Sequence, residues 1–226
     1  MSADPRQPRG DAILSNALKE TARAALAPLI RILAAAGVTP NAVTVAGLVL
    51  VAAASLVIWQ RSLLLGAVIL AVGAGLDAID GGLARARGGG TPFGGFLDST
   101  LDRTGEALVY LGIVAYWLGA TGQPFGPVMI AALALSGSFL VSYSRARAEA
   151  AGFAASNGLA PRTERLVILV LGLVVADLGY HVALVAAMGL IAILAWATVA
   201  QRIWSVRQQA AAADLPTPIG QNNKES

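Results

Sequence analysis

The sequence predicts an all-α integral membrane protein: six transmembrane helices preceded by an amphipathic surface helix, with both termini in the cytoplasm. Three observations predict it. Of the 226 residues 56% are hydrophobic and only 13% charged, with a mean hydropathy of +0.68, a balance rare in a water-soluble domain. The apolar residues gather in runs of the length, roughly 20 residues, that crosses a hydrocarbon core about 30 Å thick. Basic residues then collect on one side of those runs.

Taken in chain order, residues 1–10 read as a disordered tail, because they carry neither an apolar core nor a small-residue cleavage site of a signal peptide. Residues 11–207 form one membrane domain, and 208–226 a second disordered tail. From Asp11 to Ala36, Leu14, Leu18, Ala22, Leu26, Leu29 and Leu33 recur at helical spacing with Lys19, Arg23 and Arg31 interleaved, as in a helix lying on the bilayer. The spans follow at Asn41–Gln60, Ser62–Ala84, Phe93–Leu118, Pro127–Tyr143, Arg165–Leu178 and Val182–Trp204. Asp177 and Gly179 mark the break between the last two.

With both ends inside, the cytoplasmic segments hold Arg6, Arg9, Lys19, Arg23, Arg31, Arg85, Arg87, Arg145, Arg147, Arg162, Arg165, Arg202, Arg207 and Lys224, and the opposite side only Arg61. Arg103 falls inside the third span and needs a polar environment there. The net charge of +3 and pI of about 9.7 therefore record insertion and attraction to anionic headgroups, with no nucleic-acid partner implied. The absence of cysteine excludes disulfides, thiolate catalysis and cysteine-held metals. The single histidine, His181, sits in the polar break after Ala176 and reads as an interfacial residue.

Chemistry concentrates between Asp77 and Asp102. Asp77 and Asp80 are three residues apart at the end of the second span, Asp98 and Asp102 four apart at the start of the third, so each pair shares a helix face. The glycine-rich turn from Arg87 to Pro92 reverses the chain and brings both pairs to the same cytoplasmic end. Bare carboxylates at the edge of lipid would repel one another and resist desolvation, so they call for cations. Without histidine or cysteine the set selects hard ions: Mg²⁺ or Mn²⁺, with Ca²⁺ as a non-productive substitute. Two such ions suit phosphoryl transfer. A salt-bridge network with Arg85, Arg87 and Arg103 would account for the charges but not for Gly81 and Gly82, each of which costs a helix about 1 kcal/mol relative to alanine. Glycine there lets a ligand approach the backbone.

Asp77, two residues, Asp80-Gly81, two residues, Ala84-Arg85, eight residues, Gly94, three residues, Asp98, three residues and Asp102 closely resembles the signature of the CDP-alcohol phosphotransferase family, with every specified position filled. The resemblance implies that Asp77, Asp80, Asp98 and Asp102 bind two metal ions and that Asp102 is also the general base. It implies CDP-lipid contacts from Gly81, Ala84, Arg85 and Thr91, and from Thr39-Pro40-Asn41-Ala42, which resembles the segment opening the family's first span. That segment also reads as a simple helix cap. The implied reaction passes a phosphatidyl group from CDP-diacylglycerol, or a similar CDP-lipid, to an alcohol, with release of CMP. A homodimer in the cell membrane, its active site facing the cytoplasm, is implied as well.

Arg145, Arg165 and Arg202 stand at the cytoplasmic ends of three helices, where guanidinium groups would hold a phosphorylated acceptor. The stretch from Arg145 to Arg165, with Arg87-Gly88-Gly89-Gly90-Thr91, resembles the phosphatidylinositol phosphate synthases of the family, which implies inositol phosphate as acceptor. It departs at Arg145, where those enzymes usually carry lysine. Glycerol 3-phosphate, as in a phosphatidylglycerophosphate synthase, is the competing acceptor, and archaetidylinositol phosphate synthases share the pattern. A membrane transporter, the reading from another class, would place carboxylates at mid-membrane rather than near one face.

Overall fold

In the computed structural model, residues 26–122, 124–155, 158–159 and 161–213 are described. The expected N-terminal tail, the first part of the expected surface helix up to residue 25, and residues 214–226 lie outside them. Seven helices and no strand occur among the described residues: α1 (Leu26–Ala35), α2 (Pro40–Trp59), α3 (Leu63–Ala86), α4 (Pro92–Leu118), α5 (Phe125–Ala150), α6 (Arg162–Asp177) and α7 (Val182–Ala213). Helix α7 runs past residue 207, so 208–213 are helical rather than part of a tail.

Local chemistry sets the helix ends. Thr39 and Thr91 cap α2 and α4 in the same way: each Oγ1 accepts a backbone N–H three residues on, from Ala42 at 3.2 Å and Gly94 at 3.0 Å. Each is followed by proline, whose missing N–H costs nothing at a first helical position. Helix α3 closes with Gly88 at φ +90°, a left-handed conformation in which glycine carries no Cβ penalty. The break expected near Gly179 is present, with φ +99°.

Four helices, α2, α3, α5 and α7, are long and apolar enough to cross a membrane. The other two expected spans differ for visible reasons. Helix α4 carries Asp98, Asp102, Arg103 and Glu106 between its start and its middle, and α6 has 16 residues, about 24 Å at 1.5 Å per residue. Outward faces stay apolar: Val45, Val49, Leu56 and Trp59 on α2 and Leu190, Ile193 and Trp196 on α7 are exposed, which suits hydrocarbon rather than water.

The chain divides into two units, one comprising the chain to Ala54 with Val68–Gly105, the other Ser55–Ala67 with Glu106 onward. In the first, Leu26, Ile30, Leu33 and Ala34 of α1 pack against Val43, Ile79 and Leu83, while Leu29 and Ile32 remain exposed. One face of the described part of this helix is thus committed to packing on α2 and α3. In the second unit, α5 and α6 both pack on α7.

Small residues permit the close helix crossings, as membrane packing demands. At Gly112 of α4 an added Cβ would lie 2.5 Å from the Ser55 hydroxyl and 2.6 Å from the Ser55 carbonyl oxygen. Because backbone cannot step aside cheaply, Gly112→Ala is expected to destabilise by about 1–3 kcal/mol. The measurement is thermal unfolding of detergent-purified protein, with Gly126→Ala as control, since a Cβ there meets nothing within 4 Å.

Candidate active site

The first unit carries a cavity of ≈ 430 Å³ at which the starts of α2 and α4 meet the end of α3. Two helix N-termini at one cavity bring their positive dipole ends together, a setting that favours phosphate oxygens. Asp80 and Asp98 contribute carboxylates to the wall, and Gly81, Ala84 and the 87–91 turn complete it.

Asp80 is only 7% exposed, and the Thr44 hydroxyl donates to its Oδ2 at 2.8 Å. Thr44 Oγ1 also lies 3.1 Å from the Pro40 carbonyl oxygen, so the first turns of α2 hold the hydroxyl that orients the carboxylate. The charges of Asp98 and Asp77 both reach Asp80. Among the described residues no three acidic or histidine side chains close around a point as metal ligands. The donor set is nevertheless what a hard divalent ion requires: carboxylates only, one of them buried, in mutual electrostatic reach.

Of the residues expected at the CDP-lipid site, Thr39, Pro40, Asn41, Gly81, Ala84 and Thr91 line this cavity. Ala42 does not; its N–H is spent on the Thr39 cap. Neither does Arg85, which is exposed and folds back over its own helix, with Nη1 3.5 Å from where a Gly81 Cβ would sit. Asp77 and Asp102 are half-buried and do not line the cavity. Gly94 is explained by geometry, since a Cβ there would stand 3.1 Å from Thr91 Oγ1 and 3.2 Å from Asn41 Oδ1.

Gly82 has a different reason from the one expected. A Cβ at that position would run into Ile30 Cδ1, so this glycine makes room for α1 rather than for a ligand. Only Gly81 of the pair faces the cavity.

The second unit holds the three arginines. Arg165 is 3% exposed and donates through Nε and Nη2 to Glu106 Oε1, at 3.2 and 3.0 Å. The Tyr110 hydroxyl donates to the same oxygen at 3.3 Å. Arg202, also buried, donates to the Val141 carbonyl oxygen, and the charges of Arg145 and Arg165 both reach it. Arg145 is exposed and pairs with Glu149 at 2.8 Å. The three cations therefore form one cluster in this unit, with Glu106 and Glu149 as its carboxylate partners.

Sequence reasoning missed Thr44, Glu106 and Glu149. Thr44 follows Pro40 by four residues and Glu106 follows Asp102 by four, so helical spacing was the available signal for both. His181 Nδ1 lies 3.1 Å from the Tyr116 hydroxyl, and Arg61 stacks over the same Tyr116 ring.

Residues 37–204 match the family model for CDP-alcohol phosphatidyltransferase. An archaetidylinositol phosphate synthase of Pyrococcus horikoshii is 40% identical over 188 residues, 80% of this chain and 92% of the relative. A phosphatidylinositol phosphate synthase of Mycobacteroides abscessus is 38% identical over 204 residues, 88% of this chain and 92% of the relative. The crystal structure of the Mycobacterium tuberculosis phosphatidylinositol phosphate synthase with CDP-DAG bound superposes with a TM-score of 0.76 at 34% identity, covering 84% of this chain and 97% of that one. A second structure of that enzyme, in complex with manganese and citrate, also gives 0.76 at 34% identity, covering 84% and 92% of the two chains.

Proposed function

Because the chain belongs to the CDP-alcohol phosphatidyltransferase family, and is a transferase, we propose that it moves a phosphatidyl group from CDP-diacylglycerol to inositol phosphate, giving phosphatidylinositol phosphate and CMP. The observation that carries the acceptor is the cluster of Arg145, Arg165 and Arg202 in one unit, each within the electrostatic reach of Arg202 or being it. Guanidinium groups bind phosphate oxygens in pairs, and such a cluster is wasted on an uncharged alcohol. The names of the two relatives share the inositol phosphate headgroup and differ in the lipid, so the headgroup is the better supported half. An isoprenoid CDP-lipid donor is the second reading, favoured by the Pyrococcus relative.

Asp77, Asp80, Asp98 and Asp102 would hold the divalent metal, taken as two Mg²⁺ ions, with Mn²⁺ able to replace them in view of the mycobacterial structure. When bound, the metal supplies charge compensation for the diphosphate. The chain's own residues do the rest. The capped starts of α2 and α4, with Gly81 and Ala84, receive the CDP moiety, and Arg85 guards its edge. Asp102 takes the proton of the acceptor hydroxyl, whose oxygen attacks the β-phosphorus as the bond to CMP breaks. Thr44 keeps the Asp80 carboxylate aimed at the cavity. The six helices α2 to α7 all cross the bilayer, both termini lie in the cytoplasm, the site faces that side, and two copies associate as a homodimer.

The test is CMP release by purified protein from CDP-diacylglycerol with inositol phosphate, glycerol 3-phosphate, inositol and serine in turn. Inositol phosphate is expected to exceed inositol by a wide margin. Preference for free inositol would refute the phosphate site, whereas preference for glycerol 3-phosphate would keep the site and change the product. Replacing Arg145, Arg165 or Arg202 by alanine is expected to cost roughly ten- to a hundredfold in kcat/KM for the acceptor, since hydrogen bonds to charged groups contribute about 1.5–3 kcal/mol. The KM for the CDP-lipid should hardly move; equal damage to both substrates would mean a folding role.

A further inference from the structure

Helix α7 has 32 residues, about 48 Å at 1.5 Å per residue, against a hydrocarbon core of about 30 Å. Its polar end, with Arg202, Arg207 and Gln209, continues past residue 204, where the match to the family ends. Along this end Thr198, Arg202, Ser205 and Gln209 follow one another by four, three and four residues and so share one face. That face is occupied by the connection between α5 and α6. The Gln209 side-chain amide grips the backbone of Ala154 with both its groups: Ala154 N–H donates to Oε1 at 2.9 Å, and Nε2 donates to the Ala154 carbonyl oxygen at 2.8 Å. Further along the connection, Leu159 N–H donates to Thr198 Oγ1 at 3.2 Å. Between these attachments a Cβ on Gly158 would lie 3.0 Å from Thr198 Cγ2 and 3.6 Å from an Arg202 guanidinium nitrogen.

The connection thus joins the helix end that carries Arg145 to the helix start that carries Arg165, and is pinned on both sides of Arg202. We infer that Gln209, assisted by Thr198, is a positioning residue for the acceptor site: by fastening the α5–α6 connection to α7 it holds the three arginines in the spacing a phosphate requires. A side-chain amide suits the task. It satisfies a backbone donor and acceptor together, as a neighbouring strand would, without adding charge beside the cations. The inference rests on the reading of these arginines as the acceptor-phosphate site.

Its test uses the absence of cysteine from the chain. Ala155 is 3% exposed beside the clamped residue, so Ala155→Cys places a single thiol reporter under the attachment. In full-length protein, adding Gln209→Ala is expected to speed maleimide labelling of that thiol several-fold. Without the reporter, Gln209→Ala should raise the KM for inositol phosphate roughly three- to tenfold, in keeping with two neutral hydrogen bonds, and leave the KM for CDP-diacylglycerol within about twofold. Thr198→Val, which removes the hydroxyl and keeps the shape, should move the same KM in the same direction by less. Faster labelling with an unmoved acceptor KM would overturn the inference, and so would unchanged labelling or an equal rise in both KM values. Wild-type preference for free inositol would instead bring down the acceptor-site reading, and the inference with it.

Discussion

Asp80→Asn should bring CMP release down by roughly a thousandfold or more while the protein still folds. The carboxylate is buried and accepts the Thr44 hydroxyl, and the amide retains an oxygen of the same size for that bond. What is lost is the negative charge. Metal stabilisation of transition-state charge is worth several kcal/mol, and each step of about 1.4 kcal/mol is tenfold in rate. Asp77→Asn and Asp98→Asn should behave alike, because their charges act with that of Asp80 in one group. Turnover assays on protein that elutes as wild type in size-exclusion chromatography decide the matter. Well-folded Asp80→Asn protein with near-normal turnover would exclude metal binding by this set. Titration of Mg²⁺ or Mn²⁺ into wild-type protein freed of metal should restore activity, and into the variant should not.

The second large effect concerns Asp102, and it differs in kind. Asp102 does not line the cavity shared by Asp80 and Asp98, and it lies on α4 one turn beyond Asp98. Asp102→Asn is expected to lower kcat roughly 10²- to 10⁴-fold, the range attributed to general acid–base catalysis, and to leave the affinity for CDP-lipid within a few-fold. A direct binding isotherm with the CDP-lipid separates the two roles. If donor binding vanishes together with turnover, Asp102 is primarily a ligand for the metal that holds the diphosphate, and another group must take the proton.

The parts of this protein legible from sequence are those governed by rules that act within a turn or two of the chain. Apolar run length placed α2, α3 and α4 within two residues of their observed ends and α6 within three, whereas the polar ends of α5 and α7 run seven and nine residues beyond the apolar runs. Thr39-Pro40 announced the cap of α2. The spacing of Asp77, Asp80, Asp98 and Asp102 pointed to paired carboxylates, because side chains three and four residues apart share a helix face whatever surrounds them, but packing decided that Asp80 and Asp98 line the cavity and Asp77 and Asp102 do not. Tertiary structure alone decided which distant side chains meet, since that depends on how each helix is rotated about its axis and how closely its neighbour can approach. Thr44 reaches Asp80 across 36 residues, Glu106 takes hold of Arg165 across 59, and Gln209 fastens Ala154 across 55. Gly82 shows the same limit from the other side: glycine in the sequence says only that a close approach occurs, and packing determined that the approaching group is Ile30.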